Sequence, residues 1–247
     1  MKKMTKKFWW TLPVFLFLLL AGFVLWAEIT PAPMPEAATA LQNNSSVEVI
    51  TQPWITFQPE VSPAKTGLIF YPGGRVNPES YAPMARALAE KGFLVVIVPM
   101  PLNLAVTAPG KAADVIAAYP EIQTWAIAGH SLGGSMAANF AKNNPAEVDG
   151  LALLASYPAA SDDLSNQDIS VISISGTNDG LSTPEKIEAS KALLPPNTQF
   201  VAIDGGNHAQ FGWYGNQAGD NPATISREDQ QNQVIEALSS WLAGLDK

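Results

Sequence analysis

Apolar and polar positions along the chain fall into three regimes. Residues 8–27 form one unbroken apolar run without a charge, FWWTLPVFLFLLLAGFVLWA. As a helix it would span about 30 Å, the hydrocarbon thickness of a bilayer. Residues 28–46 carry Pro31, Pro33 and Pro35 and end in Asn43-Asn44-Ser45-Ser46, which predicts an extended, unpacked stalk. From Val47 onward short apolar runs alternate with longer amphipathic ones. The runs at 67–71, 93–98, 124–128, 151–155, 169–175 and 199–203 predict strands, and 47–57 predicts a leading strand or hairpin. Their continuous rather than alternating apolarity implies burial on both faces. Spacings of three and four predict helices over 80–91, 111–118, 131–142, 185–194 and 228–245. Strand–helix alternation of this kind predicts an α/β fold, a mostly parallel central sheet with helices on both faces.

Charge sharpens that division. Lys2, Lys3, Lys6 and Lys7 precede the apolar run, while all 22 acidic side chains follow it. Lysines before a span hold that end in the cytoplasm and send the remainder across. Trp9, Trp10 and Trp26 sit near the two ends, where amphipathic aromatics prefer to lie. Residues 1–27 therefore read as an N-terminal membrane anchor, 28–46 as a Pro-rich linker and 47–247 as one extracytoplasmic domain. The rival is a signal peptide, with the domain secreted after cleavage. A signal core is usually shorter, and no small-x-small site closes this run, since Leu25 and Trp26 precede Ala27. A net charge of −8 argues against nucleic acid, because phosphate neutralisation needs Lys and Arg. The lack of Cys removes disulfides, thiol nucleophiles and thiolate metal sites, and two histidines are too few for a His-rich zinc site.

The chemistry-bearing residues sit just after strands, where ligands bind in such sheets. The strand at 124–128 runs into Gly129-His130-Ser131-Leu132-Gly133-Gly134, a G-x-S-x-G turn leading into an Ala-rich helix. That turn lifts the Ser131 hydroxyl above the sheet edge at a helix N-terminus, where developing negative charge is favoured. Serine needs a base to take its proton. His130 is adjacent and at such an elbow should point away from the hydroxyl, which leaves His208, on the loop after the strand at 199–203. The base needs a carboxylate partner, and Asp179 follows the strand at 169–175; Asp204, Asp162, Asp163 and Asp168 are competitors. The order Ser…Asp…His favours Asp179. Oxyanion donors are expected from the Leu132 amide and from the turn after Tyr71. Pro72 has no N–H, so Gly73 or Gly74 must supply the second. Arg75 reads as a solvated surface charge.

Together these residues resemble the α/β-hydrolase superfamily over nearly all of 47–247. Tyr71-Pro72-Gly73-Gly74, the exit from Val98 through Asn103, and Gly206-Asn207-His208-Ala209-Gln210-Phe211-Gly212 look like its small, lidless, dienelactone-hydrolase-like branch. The sequence departs at Tyr71-Pro72, where many relatives carry His-Gly, and it has serine where dienelactone hydrolases use cysteine. The resemblance implies a Ser131–His208–Asp179 triad, an acyl-enzyme, a small-molecule ester substrate and no metal or organic cofactor. Residues 156–168 are too few for a cap domain, so the site should be open. Met100, Asn103, Trp213 and Tyr214 are the candidate substrate contacts. A hydrolase acting on amides or thioesters, or a non-catalytic binding protein on the same fold, are the alternatives.

Overall fold

The computed structural model describes residues 8–245. Lys2, Lys3, Lys6 and Lys7, and the side chains of Trp9 and Trp10, lie outside the described residues. Eight strands form one sheet in the order β1-β2-β4-β3-β5-β6-β7-β8. They are β1 (Val47–Ile50), β2 (Ile55–Pro59), β3 (Thr66–Tyr71), β4 (Leu94–Ile97), β5 (Thr124–His130), β6 (Gly150–Leu154), β7 (Ser170–Gly176) and β8 (Gln199–Ile203). β1 and β2 are the expected hairpin; β2 joins β4 antiparallel, and every later pairing is parallel.

The uninterrupted apolar runs have a simple cause. Successive side chains point to opposite faces of a sheet, and both faces here are covered. Leu68 and Phe70 pack with Val95, Ile97 and Ala128 in one core layer, whereas Ile69 and Tyr71 pack with Val96 and Ile127 in the other. α3 (Ala82–Ala89) and α7 (Arg227–Ala243) cover the first layer. α4 (Ala112–Ala118) and α5 (Leu132–Asn143) cover the second. α6 (Pro184–Ser190) follows β7. No helix lies between β6 and β7, so the sheet has no cap domain.

The N-terminal region departs from the reading of its sequence. α1 (Phe8–Glu28) is the long apolar helix, exposed along most of its length from Leu12 to Trp26. It does not lead into an unpacked stalk. Residues Pro35–Ala40 form a short helix, α2, starting on a proline that fits the first helical turn. Ala37 and Ala40 are buried, the Met34 amide donates to Trp213 O at 2.8 Å, and Arg86 Nε donates to Ala40 O at 2.8 Å. Proline spacing alone says nothing of these acceptors, which is why the segment reads as extended from its composition.

Candidate active site

The turn between β5 and α5 is built by exclusion. A Cβ on Gly129 would lie 2.4 Å from the Gly133 carbonyl carbon, and one on Gly133 would lie 2.1 Å from Tyr71 O. Only glycine lets the strand, the helix and the neighbouring strand β3 approach so closely. The closeness forces Ser131 to φ 52° and ψ −123°, a sparsely populated conformation for a side-chain-bearing residue. Ser131 is pinned there on both sides: its amide donates to Leu154 O at 3.0 Å, and its carbonyl accepts from Ser156 Oγ at 2.6 Å. The hydroxyl-bearing residue thus stands at the N-terminus of α5.

Asp179 and His208 come from the loops after β7 and β8, which are parallel neighbours. His208 Nδ1 lies 2.8 Å from Asp179 Oδ2, with both side chains sealed from solvent. The other carboxylate oxygen accepts the Leu181 and Ser182 amides, each at 2.7 Å. A carboxylate so held can only accept, so Nδ1 carries the ring hydrogen of neutral His208 and Nε2 presents a lone pair. That Nε2 is buried and has no hydrogen-bond partner among the described residues. The His208 ring centroid is 4.5 Å from that of His130, the residue before Ser131. Among the competing carboxylates, Asp204 Oδ1 accepts from Thr177 Oγ1, Asp162 from Asn139 Nδ2 and Asp163 from the Ser165 amide.

The turn after β3 separates the two glycines that the sequence leaves open. Gly73 donates its amide to Tyr81 Oη at 3.0 Å, so it is engaged within the fold. Gly74 donates to no group among the described residues, and its Cα faces the Leu132 side chain. Leu132 begins α5, so its amide lies outside the helical ladder. The free pair of donors is therefore Gly74 and Leu132.

Residues 67–232 match the sequence model of the alpha/beta hydrolase family, more than half of the chain. The chain belongs to that family. No curated protein sequence matches it. Among solved structures, this hydrolase is similar to an alpha/beta hydrolase enzyme from the metagenome of lagoon sediments at Mar Chica, Morocco, at 18% identity and a TM-score of 0.61, covering 81% of this chain and 99% of that one. It is also similar to the esterase domain of a Rhodothermus marinus protein, at 16% identity and a TM-score of 0.59, covering 76% of this chain and 90% of that one. At these identities the likeness is one of fold.

Three of the four expected substrate contacts have partners within the fold of this hydrolase. Met100 is buried in the core layer under α4 and α5. Asn103 Nδ2 donates to Ala27 O at 3.2 Å, at the end of α1. Trp213 is buried, with its amide bonded to Ser80 O and its carbonyl accepting from Met34. Tyr214 lies 6.3 Å from the His130 ring, and it lines a cavity of about 300 Å³ with Gly74, Val76 and Pro31.

Other residues hold the site although no motif marks them. Asp220 takes the Gly180 amide at 3.0 Å on one oxygen and the Ala209 amide at 2.8 Å on the other, bridging the Asp179 and His208 loops. Gln230, fully buried on α7, bonds the backbone of Asn207 through both ends of its amide. The Arg227 guanidinium donates to the carbonyls of Ala209, Gly212 and Gly215, fixing the segment beyond His208. All three use side chains to satisfy loop backbone groups that sheet and helix leave open.

His130 is the odd group in this neighbourhood. Burial first, and then the charge that His208 can carry, hold its pKa well below the ordinary 6.5. Its Nδ1 lies 2.9 Å from Tyr81 Oη, and Phe211 stacks on its ring. An imidazole kept neutral in the fold but free to protonate when unfolded opposes folding in acid. Stability linked to His130 is thus fully present above pH 6.5. It falls as pH drops below 6.5, by up to about 1.4 kcal/mol per pH unit until the folded-state pKa is reached. Urea midpoints between pH 7.5 and 5 should show this limb. His130→Asn, whose Oδ1 can still accept from Tyr81, should flatten it.

Proposed function

We propose that this protein is a serine hydrolase that cleaves carboxylic esters through an acyl-enzyme. The observation that carries the reading is the buried His208–Asp179 pair, 2.8 Å apart, with a bare Nε2 on the sheet edge that bears the strained Ser131 turn. The relative described as an esterase domain lends the bond type.

In the first half-reaction Ser131 Oγ attacks the ester carbonyl carbon as His208 Nε2 takes the hydroxyl proton. Asp179 stabilises the resulting imidazolium and keeps the ring in one tautomer. The Leu132 and Gly74 amides serve as the donors to the negative oxygen of the tetrahedral intermediate. Its collapse breaks the bond to the alcohol oxygen, which leaves with the Nε2 proton. Water then gives its proton to Nε2 and attacks the acyl carbon. Reprotonation of Ser131 Oγ from Nε2 releases the acid and restores the enzyme. Apo catalytic hydrogen bonds are commonly long and tighten in the substrate complex, so an unpartnered Nε2 is compatible with this role.

Residues 1–27 act in this reading as an uncleaved membrane anchor. Thr11–Glu28 is long and apolar enough to cross a bilayer, and the lysines before it orient residues 47–247 outside the cytoplasm.

A fluorophosphonate reports an activated serine directly. The full chain should be labelled at Ser131, with labelling abolished in Ser131→Ala and unchanged in Ser135→Ala. Equal labelling of wild type and Ser131→Ala, or none of either, would reject the assignment.

A further inference from the structure

The C-terminus of α1 is fastened to the two loops that border the site. Arg75, next to Gly74, donates through Nε to Trp26 O and through Nη2 to Ile29 O, each at 2.9 Å. Its guanidinium also lies 4.2 Å from the centre of the Trp26 ring. Asn103, on the loop after β4, donates to Ala27 O. The two loops are themselves tied, since the Arg75 amide donates to Asn103 O at 2.8 Å. These side chains satisfy the carbonyls that a helix end leaves without partners. Ala27 is completely buried as a result.

This fastening fixes direction as well as proximity. Ligands bind at the carboxyl ends of the strands in such sheets, and α1 ends at that edge. Pro31, a few residues past the helix, forms one wall of the cavity that Gly74, Val76 and Tyr214 also line. Beyond α1, Ile29 is among the few large apolar side chains left in solvent, and its carbonyl belongs to the contact. A helix on a flexible stalk would let the domain tumble. Here the site edge is held toward whatever surrounds α1.

We infer that the site takes its substrate from the membrane in which α1 is embedded: a long-chain carboxylic ester resident in that bilayer. The inference rests on the ester-hydrolase reading above.

The test uses the full chain reconstituted in phosphatidylcholine vesicles. An oleoyl ester of methylumbelliferone is dissolved either in the protein-bearing vesicles or in a separate population, and the soluble butanoyl ester is the control. Confinement to one bilayer raises effective concentration, so the oleoyl ester should turn over at least about tenfold faster in the shared vesicles. Arg75→Asn removes the guanidinium while keeping a residue that tolerates the φ of 57° found there. It should lower the shared-vesicle oleoyl rate about tenfold, with the butanoyl rate within about twofold of wild type. Equal oleoyl rates in shared and separate vesicles overturn the inference. So does an Arg75→Asn variant that leaves the oleoyl rate intact, or one that lowers both esters alike. Absence of turnover for either ester, together with absent fluorophosphonate labelling, identifies failure of the ester-hydrolase reading itself, and this inference falls with it.

Discussion

Ser131→Ala should lower kcat/KM for an activated ester by roughly 10⁵–10⁶-fold, the scale lost when a serine hydrolase forfeits its nucleophile. At 1.36 kcal/mol per decade this is about 7–8 kcal/mol of transition-state stabilisation. Asp179→Asn should cost about 10⁴-fold, because the amide favours the wrong imidazole tautomer while leaving the geometry in place. Nucleophile and base act as one unit, so Ser131→Ala combined with His208→Ala should be no slower than the worse single variant. Losses that add would mean that the two groups work separately, and the proposed proton transfer would be wrong. Stability supplies the control. Alanine keeps the strain of φ 52° and ψ −123°, whereas Ser131→Gly relieves it. Ser131→Gly should therefore be inactive yet more stable than wild type by about 1 kcal/mol, measured by urea unfolding. An inactive variant that melts higher cannot owe its inactivity to misfolding.

The parts legible in the sequence are those where a local rule and the tertiary outcome coincide. β5 and β6 read as strands because Ala126 and Ala152 meet one helix layer while Ile127 and Leu151 meet the other, so every position had to be apolar. Gly129 and Gly133 were recognisable for a similar reason: a turn that tight admits no side chain. What composition could not supply was the destination of polar side chains. Tyr81 falls in step with the apolar face of α3, and it does pack on Phe70 at 4.7 Å between centroids. Its hydroxyl, however, engages the Gly73 amide and His130 at once, and so decides which glycine remains a free donor. Arg75 reads as a solvated charge until the α1 carbonyls are placed beside it. Asp220 lies in a Gly- and Asn-rich stretch that signals only a loop, yet it links the two loops bearing Asp179 and His208. Each of these roles depends on a partner at least eight residues away along the chain.

The largest effect on folding should come from a methyl group at the same turn. Gly133→Ala places a Cβ 2.1 Å from Tyr71 O and 2.4 Å from Pro72 O, both backbone atoms of β3 and its exit. A flexible side-chain tip could move aside, but β3 is hydrogen-bonded to β4 and β5 and cannot retreat without breaking the centre of the sheet. The destabilisation should exceed about 3 kcal/mol, above the usual range for an added core methyl, and a domain of ordinary stability would lose much of its margin. Two other glycines separate this clash from the generic effect of the substitution. At Gly110 nothing lies within 4 Å of an added Cβ, so alanine should be neutral or slightly stabilising through the unfolded chain. Gly215 has equal space but a φ of 84°, so alanine should cost about 1–2 kcal/mol from backbone strain alone. Urea unfolding of the three variants should rank Gly110→Ala, Gly215→Ala, Gly133→Ala in falling stability. If Gly133→Ala matched Gly215→Ala instead, strand β3 and the turn would have to be farther apart than the structure places them. The strain on Ser131 would then lose its cause, because close approach of these backbones is what forces that residue out of the ordinary helical and extended regions.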